Sequence, residues 1–361
     1  MKKALFLYTE IAPYFMACVE RLVKDHEVEV HIVRWPVNKE APFEFIPGPR
    51  ITIHERRDLD DAELLALAAR IDPDIVFSSG WVDKGYLKVC RAVRRKGRPS
   101  VMCSDTAWRG DQRQQIAVLL ARFWLKRTFS HAWATGSSQA LYASRLGFRK
   151  SRIRRGFYSA DVERFAPLAA QFAETKANKF PHRFLCVARY IATKGQQDLC
   201  DAFAELCDEE RAGDWDLWLV GTGELQEQVQ FSKSGSHGRI KHLGFVQAHD
   251  VPKVMEQCGV FVLPSSYEPW GVVVHEHACA GFPLILSSKV GASEMFLREG
   301  ANGQRFFGGS VDHLKVAMRW IISRHDDDLV KMGGMSASIG ASWDPGRWAD
   351  VVMELMSWQR G

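Results

Sequence analysis

Nowhere in its 361 residues does the chain carry an apolar run approaching the roughly 18–20 uncharged residues that a membrane-crossing helix needs. Its eight cysteines form no Cys-x-x-Cys pair and show no spacing of the kind that staples small secreted domains, so a reducing, cytoplasmic setting is expected. There is no short internal repeat and no low-complexity tract. The opening MKKALFLYTEIAPYF lacks what a signal peptide needs: its apolar stretch is short, Glu10 interrupts it, and no small-residue cleavage site follows. It reads instead as a first buried strand, KALFLYT, followed by a loop. What is present is ordinary globular composition, 46 % hydrophobic, with length enough for two domains of typical size.

A net charge of +5 conceals an uneven distribution. Residues 1–165 hold 29 Lys and Arg against 19 Asp and Glu, while the rest of the chain holds 19 against 24. Halves of opposite sign suggest two domains with different partners. KALFLYT, EVEVHIV, DIVFSS, PSVMCS and HAWATG read as strands, and RFLCVAR, WDLWLVG, IKHLGF, GVFVLPS and FPLILSS repeat the scheme. Strands alternating with helical stretches predict an α/β chain of two doubly wound, parallel-sheet domains. Ligands of such folds gather beyond the carboxyl ends of the strands, so a cleft between the domains is the expected site. The predicted division is 1–165, a linker at 166–182 (APLAAQFAETKANKFPH), a second domain at 183–342, and a closing helix in 343–361. That helix follows from the Asp-Pro entry and helical spacing of WDPGRWADVVMELMSWQ.

The stretch SSYEPWGVVVHEHACAG places Glu268 and Glu276 on either side of an apolar GVVV run, with seven residues between them. Pro264 ends the strand before it, and the helix is expected from near Gly271 to Ala280, with Gly281 as its stop. First-turn amides of a helix have no internal partners and suit an anion, and Gly271 has no side chain to block a phosphate from them. Both glutamates can then point into one cleft, one near each end of a nucleotide diphosphate-sugar. The plainer alternative is a helix with exposed glutamates. Arg189 and Lys194, in RYIATKGQQDLCDAF, fall at a strand end and a helix entry, where two fixed cations suit a leaving pyrophosphate. A solvated basic loop is the alternative. Gly221 and Gly223, after strand WDLWLVG, mark either a phosphate loop or merely a tight turn.

In combination these features resemble the retaining glycosyltransferases of the large family 4, whose two-Rossmann-domain architecture is called GT-B. The resemblance covers most of residues 180–361. It rests on Arg189 and Lys194-Gly195, on Gly221 and Gly223, on Gly244-Phe245-Val246, and on the E-x7-E pair Glu268 and Glu276 with the turn from Ala280 to Pro283. VGASEMF, ANGQRFF and SWDPGRWAD match later segments, the last being where a helix crosses back to the N-terminal domain. The resemblance implies that Arg189 and Lys194 hold the diphosphate, that Glu276 meets the ribose and Glu268 the donor sugar, and that the Gly271–Val272 amides cap the distal phosphate. Gly244-Phe245-Val246 would abut the base. No metal motif or other cofactor is implied, and Asp326–Asp328 reads as a solvated helix end.

The N-terminal half departs from the family. TEIAPYFMACVERL lacks the Gly-Gly pair many relatives carry, and SDTAWRGD stands where many have a His. Asp105 there serves the donor sugar or acceptor, or else caps the following helix. GSSQALYASRLGF looks like the family's usual Ser-containing helix entry, and RRGFYSADVERF is an altered form of its Asn-Gly-Val-Asp segment. Basic clusters RAVRRKGR (91–98), ARFWLKR (121–127) and RKSRIRR (149–155) suit an anionic membrane surface and a lipid-pyrophosphate acceptor, unless Phe123, Trp124 and Leu125 are core. No nucleic-acid recognition motif accompanies them. The expectation is therefore a cytoplasmic retaining glycosyltransferase, peripheral on the inner membrane face, using a UDP- or GDP-linked donor and a lipid-linked or glycan acceptor in bacterial lipopolysaccharide or capsule synthesis. The rivals are a nucleotide-sugar epimerase of the same architecture and a non-catalytic nucleotide-sugar-binding subunit.

Overall fold

A computed structural model describes residues 1–36 and 45–358, with the side chains of Arg122 and Phe123 outside that description. The chain divides into two units, residues 1–161 with 343–361, and residues 162–342.

The first unit runs β1 (Lys3–Tyr8), α1 (Pro13–His26), β2 (Glu29–Arg34), β3 (Ile51–Glu55), α2 (Asp61–Ile71), β4 (Ile75–Ser79), α3 (Lys84–Arg95), β5 (Ser100–Ser104), α4 (Gln112–Thr128), β6 (His131–Ala134), α5 (Ser137–Arg145) and β7 (Ile153–Arg154). Its strands form one parallel sheet in the order β3-β2-β1-β4-β5-β6-β7. In β1 alternate side chains enter different layers, as the two-residue period of a strand requires. Phe6 and Tyr8 pack toward α1, and Leu5 and Leu7 toward α2, α3 and α4. Both faces are thus covered, which is why β1 reads as an unbroken apolar run.

The second unit runs α6 (Val162–Asn178), β8 (Arg183–Val187), α7 (Gln196–Asp208), β9 (Asp216–Val220), α8 (Gln226–Gln230), β10 (Ile240–His242), α9 (Val251–Glu256), β11 (Val260–Leu263), α10 (Val272–Cys279), β12 (Leu284–Ser287), α11 (Ser293–Phe296), β13 (Gly303–Phe306), α12 (Val311–Ile322) and α13 (Asp326–Gly340). Its sheet, also parallel, is ordered β10-β9-β8-β11-β12-β13. One face packs α7 and α12 through Phe203, Leu314 and Met318. On β11, Phe261 meets α10, where His277 stacks on its ring at 3.9 Å.

The stretch expected to be a linker, 166–182, is instead mostly α6. Pro167 is the sixth residue of that helix, where it withholds one amide from the i→i−4 ladder, and Phe165, Leu168 and Phe172 supply a buried stripe that outweighs the loss. The final helix, α14 (Pro345–Met356), groups with the first unit. Asp344 caps it by accepting from Arg347 N at 2.8 Å, and Pro345 opens it. Trp348 on α14 is fully buried and donates through Nε1 to Phe157 O at 2.8 Å.

Candidate functional site

In the second sheet β8 and β11 are neighbours, but the chain leaves β8 toward β9 and leaves β11 toward β12. The loops beyond their carboxyl ends therefore diverge and leave a crevice, the place where open α/β sheets bind ligands. Arg189, Lys194, Glu268 and Gly271 all lie on these two loops.

After β8 the chain turns through a 3-10 segment, Ala192–Lys194, into α7. Gln196, buried at the start of α7, fixes this loop by donating to Arg189 O at 2.7 Å and Ala188 O at 3.2 Å. From the other side the 221–223 turn grips it: Tyr190 N donates to Thr222 O at 2.8 Å, and Leu225 N to Tyr190 O at 3.0 Å. A Cβ at Gly221 would come within 2.0 Å of Ala188 O. The two glycines are therefore required for close backbone packing, the tight-turn reading, and they act on the site by holding the loop that carries Arg189. Gly221 N also donates to Gly244 O at 2.8 Å, joining the turn to Gly244-Phe245-Val246, where Phe245 is exposed.

After β11, Ser266 N donates to Thr193 O at 2.9 Å, so the second loop is tied to the first. Glu268 is held by its backbone: its N donates to Lys289 O at 3.2 Å, and its carbonyl accepts from Gly291 N at 3.0 Å. With the backbone so fixed, the Glu268 carboxylate pairs with Lys194 across the crevice, both side chains mostly enclosed at 11 % and 18 % exposure. Next comes Gly271 at φ 92° and ψ 74°, the N-cap of α10, with no side chain capping that end. The first-turn amides of α10 thus open directly beside Glu268. Glu276 follows on the same helix and is half-buried.

Two histidines inside the motif belong to the core. His275 Nε2 bonds Gly340 O at 2.9 Å, and the His277 imidazole is pushed down to about 3 by burial, so it is neutral at physiological pH. Asp105 lies in the first unit and does not cap α4; Asp111 does, accepting from Gln114 N at 2.9 Å. Asp105 instead accepts from the Tyr158 hydroxyl at 3.2 Å, while its carbonyl accepts from Gln139 Nε2 at 3.2 Å. Asp326 starts α13 and pairs with His182 at 2.8 Å, and Asp328 faces Lys331, so the acidic run is a helix end with local partners. Thr193 and Gln196, within RYIATKGQQDLCDAF, and Gly291, within VGASEMF, were given no role of their own in the sequence: Gln196 ties its own loop, and the bonds of Thr193 and Gly291 appear only once the sheet order makes their loops neighbours.

Residues 169–333, which contain Arg189, Lys194, Glu268, Gly271 and Glu276, match the family model described as "Glycosyl transferases group 1". The chain resembles an uncharacterised glycosyltransferase, MJ1607, of Methanocaldococcus jannaschii, 30 % identical over 141 residues. It also resembles the lipopolysaccharide core biosynthesis glycosyltransferase LpsE of Rhizobium meliloti, 28 % identical over 141 residues. Each match covers 38 % of this chain and little more than a third of the relative, 35 % and 39 % of their lengths. Among solved structures, that of Anabaena HepE in complex with UDP superposes with a TM-score of 0.72 at 19 % identity, covering 99 % of this chain and 100 % of that one. The fold is GT-B. Within it, Arg189, Lys194, Gly221, Gly223, Glu268, Gly271 and Glu276 lie in the second unit and Asp105 lies in the first.

Proposed function

We propose that this GT-B chain is a retaining glycosyltransferase of the family 4 type, moving a hexose from a nucleotide diphosphate-sugar to an acceptor hydroxyl. The observation that carries the reading is the Lys194–Glu268 pair at the switch point, set beside the uncapped N-terminus of α10. A cation, a carboxylate and a set of free amides in one crevice match the three parts of such a donor. Lys194 and Arg189 neutralise the diphosphate, the Gly271–Val272 amides meet its distal phosphate, and Glu268 accepts from sugar hydroxyls. Glu276, about a turn and a half into α10 from Gly271, meets the ribose. Phe245 and Val246, joined to this crevice through the Gly221–Gly244 bond, flank the base.

In the transfer, a bond forms between the acceptor oxygen and the anomeric carbon while the bond from that carbon to the distal phosphate oxygen breaks. The acceptor proton passes to the departing phosphate on the same face, which retains the anomeric configuration. Charge accumulates on the diphosphate, where the fixed cations and helix amides stabilise it. Asp105, placed by Tyr158, serves the acceptor. Similarity to LpsE and to HepE, whose structure holds UDP, supports a UDP-linked donor and a role in bacterial cell-surface glycan synthesis, with a lipid-linked or glycan acceptor. Cytoplasmic placement follows from that donor class, and no metal is needed at the diphosphate.

The test is calorimetric titration of UDP, GDP and ADP in EDTA, followed by turnover with the matching sugar nucleotide. Binding of one nucleotide without metal, and sugar transfer that requires an acceptor, is the expected result. Conversion of the donor without any acceptor identifies an epimerase, binding without either reaction identifies a donor-binding subunit, and either result overturns the proposal.

A further inference from the structure

The three basic segments of the first unit, separate in sequence, meet on one face. Arg91, Arg94 and Arg95 of α3 with Lys126 and Arg127 of α4 line a depression of about 480 Å³, Trp124 completing it. No carboxylate is among its described lining residues. The third segment joins through Trp358, whose ring carries the Arg94 guanidinium at 4.9 Å and that of Arg152 at 4.5 Å. Of the run expected to divide between core and surface, Leu125 is fully buried and Trp124 half-buried, while the Phe123 side chain lies outside the described residues.

A second observation adjoins the first. α4 already buries one stripe, through Gln114, Ala121, Leu125 and Thr128. Yet on another face it presents Ile116, Leu119 and Leu120 to solvent at 56 %, 70 % and 62 % exposure. Spaced i, i+3, i+4, these form a single stripe, and the helical period carries the same line to Arg127, about 16 Å further along the axis. A soluble helix needs one apolar face, and α4 has two. Trp124, edge-on to Trp81 at 6.2 Å and overlain by Arg91 at 5.9 Å, lies between the apolar stripe and Lys126 and Arg127 along α4.

We infer that this α3–α4 face docks on an anionic phospholipid surface, the Ile116–Leu120 stripe entering the acyl boundary and the five cations receiving lipid phosphates. The order along α4, apolar stripe then indole then cations, matches the layering of a bilayer interface. A polyanion such as RNA accounts for the charge but leaves the apolar stripe without a role. The inference extends the lipid-linked acceptor of the proposed function, but vesicle binding is measured with neither donor nor acceptor present, so either can fail without the other.

The experiment is co-sedimentation of the full chain with phosphatidylcholine vesicles, alone or with one-third phosphatidylglycerol, alongside titration with an RNA oligonucleotide. The wild type is expected to bind the anionic vesicles at least about tenfold more tightly than the neutral ones and to be released by salt. Arg95→Gln/Lys126→Gln/Arg127→Gln should lose about five-fold per charge, roughly a hundredfold together. Leu119→Ser/Leu120→Ser should lose about tenfold while keeping the salt dependence. All five side chains are exposed, so both variants should fold and bind nucleotide as the wild type does. Absence of vesicle binding, equal binding to both vesicles, wild-type affinity in either variant, or RNA bound in preference to anionic vesicles overturns the inference.

Discussion

Lys194 and Glu268 are expected to have opposite effects on nucleotide binding when each is replaced. Their pair is neither a surface ion pair, worth about 0–1 kcal/mol, nor a fully buried one, whose disruption costs about 3–5 kcal/mol. With side chains 18 % and 11 % exposed, an intermediate coupling of about 1–3 kcal/mol is expected. A cycle of Lys194→Met, Glu268→Gln and the double variant, read from denaturant midpoints, isolates that coupling from the other losses. Loss of a charge-assisted bond to phosphate in Lys194→Met should weaken the nucleoside diphosphate by about 1.5–3 kcal/mol, roughly 10–100-fold. Glu268→Gln acts in the other direction, because in the free protein the Glu268 carboxylate competes with phosphate for the Lys194 ammonium. Removing that competitor should leave diphosphate affinity unchanged or raise it by up to about tenfold. Sugar transfer by Glu268→Gln should nonetheless fall by about a hundredfold, since contacts to the sugar hydroxyls are lost as the bond breaks. Calorimetry with the diphosphate and single-turnover transfer separate the two effects. Equal loss of nucleotide affinity in both variants, or a coupling of only a few tenths of a kcal/mol, refutes the reasoning.

Gly271→Ala forces an L residue to φ 92° and sets a Cβ 3.0 Å from Glu268 Cγ, so a thermal midpoint lowered by the equivalent of about 1–2 kcal/mol and weaker nucleotide binding are expected. Wild-type values on both measurements would show that the loop has room to spare. Lys176, on α6, is pushed down to about 7 by burial, its Nζ standing 3.7 Å from the Phe282 ring centre. The unfolded chain keeps this proton to about 10.5 while the folded chain releases it near about 7, so stability contributed by this group rises with pH across that window, by at most about 1.4 kcal/mol per unit. Lys176→Met should therefore melt higher than wild type at pH 7, with an advantage that shrinks toward pH 10. A constant difference between the two melting profiles would contradict the assignment.

The strands legible in the sequence are those covered on both faces. β1, β4, β5 and β11 are buried at nearly every position and carry apolar runs (ALFLY, IVF, VMC and VFVL), and such runs require no knowledge of neighbours to be recognised. The ones not singled out, β3, β7 and β13, end the two sheets or lie at their rims. ITIHE in β3 buries only its first residue, β7 is two residues long, and GQRF in β13 alternates buried ends with a polar middle. Each is a strand because a neighbour offers hydrogen bonds, a fact absent from its own composition. The supposed linker at 166–182 failed for a related reason: Pro167 and a polar face suggested a break, while the stripe Phe165, Leu168, Phe172 supplied a helix that the second unit buries.

Within the site, the division is between residues whose chemistry is intrinsic and residues whose role depends on which loops meet. Glu268 and Lys194 are separated by more than seventy positions, yet each carries a charge beside a strand end, and that much is visible in sequence. The bonds of Thr193 and Gly291 join different loops, so they exist only after β11 has taken its place between β8 and β12, while Gln196 ties the backbone of its own loop. SDTAWRGD shows the same division inside one segment. It holds two aspartates, and sequence alone does not say which caps α4. The helix starts at Gln112, so Asp111 is at the capping position and takes the amide of Gln114. That leaves the Asp105 carboxylate at the end of β5, exposed but oriented by the Tyr158 hydroxyl. Under the proposed function, a carboxylate with no part in holding up a helix, at the carboxyl edge of a parallel sheet, is available to the acceptor. Tyr158→Phe should consequently leave α4 intact and change the acceptor's KM more than the donor's; an unchanged acceptor KM would return Asp105 to the status of a surface residue.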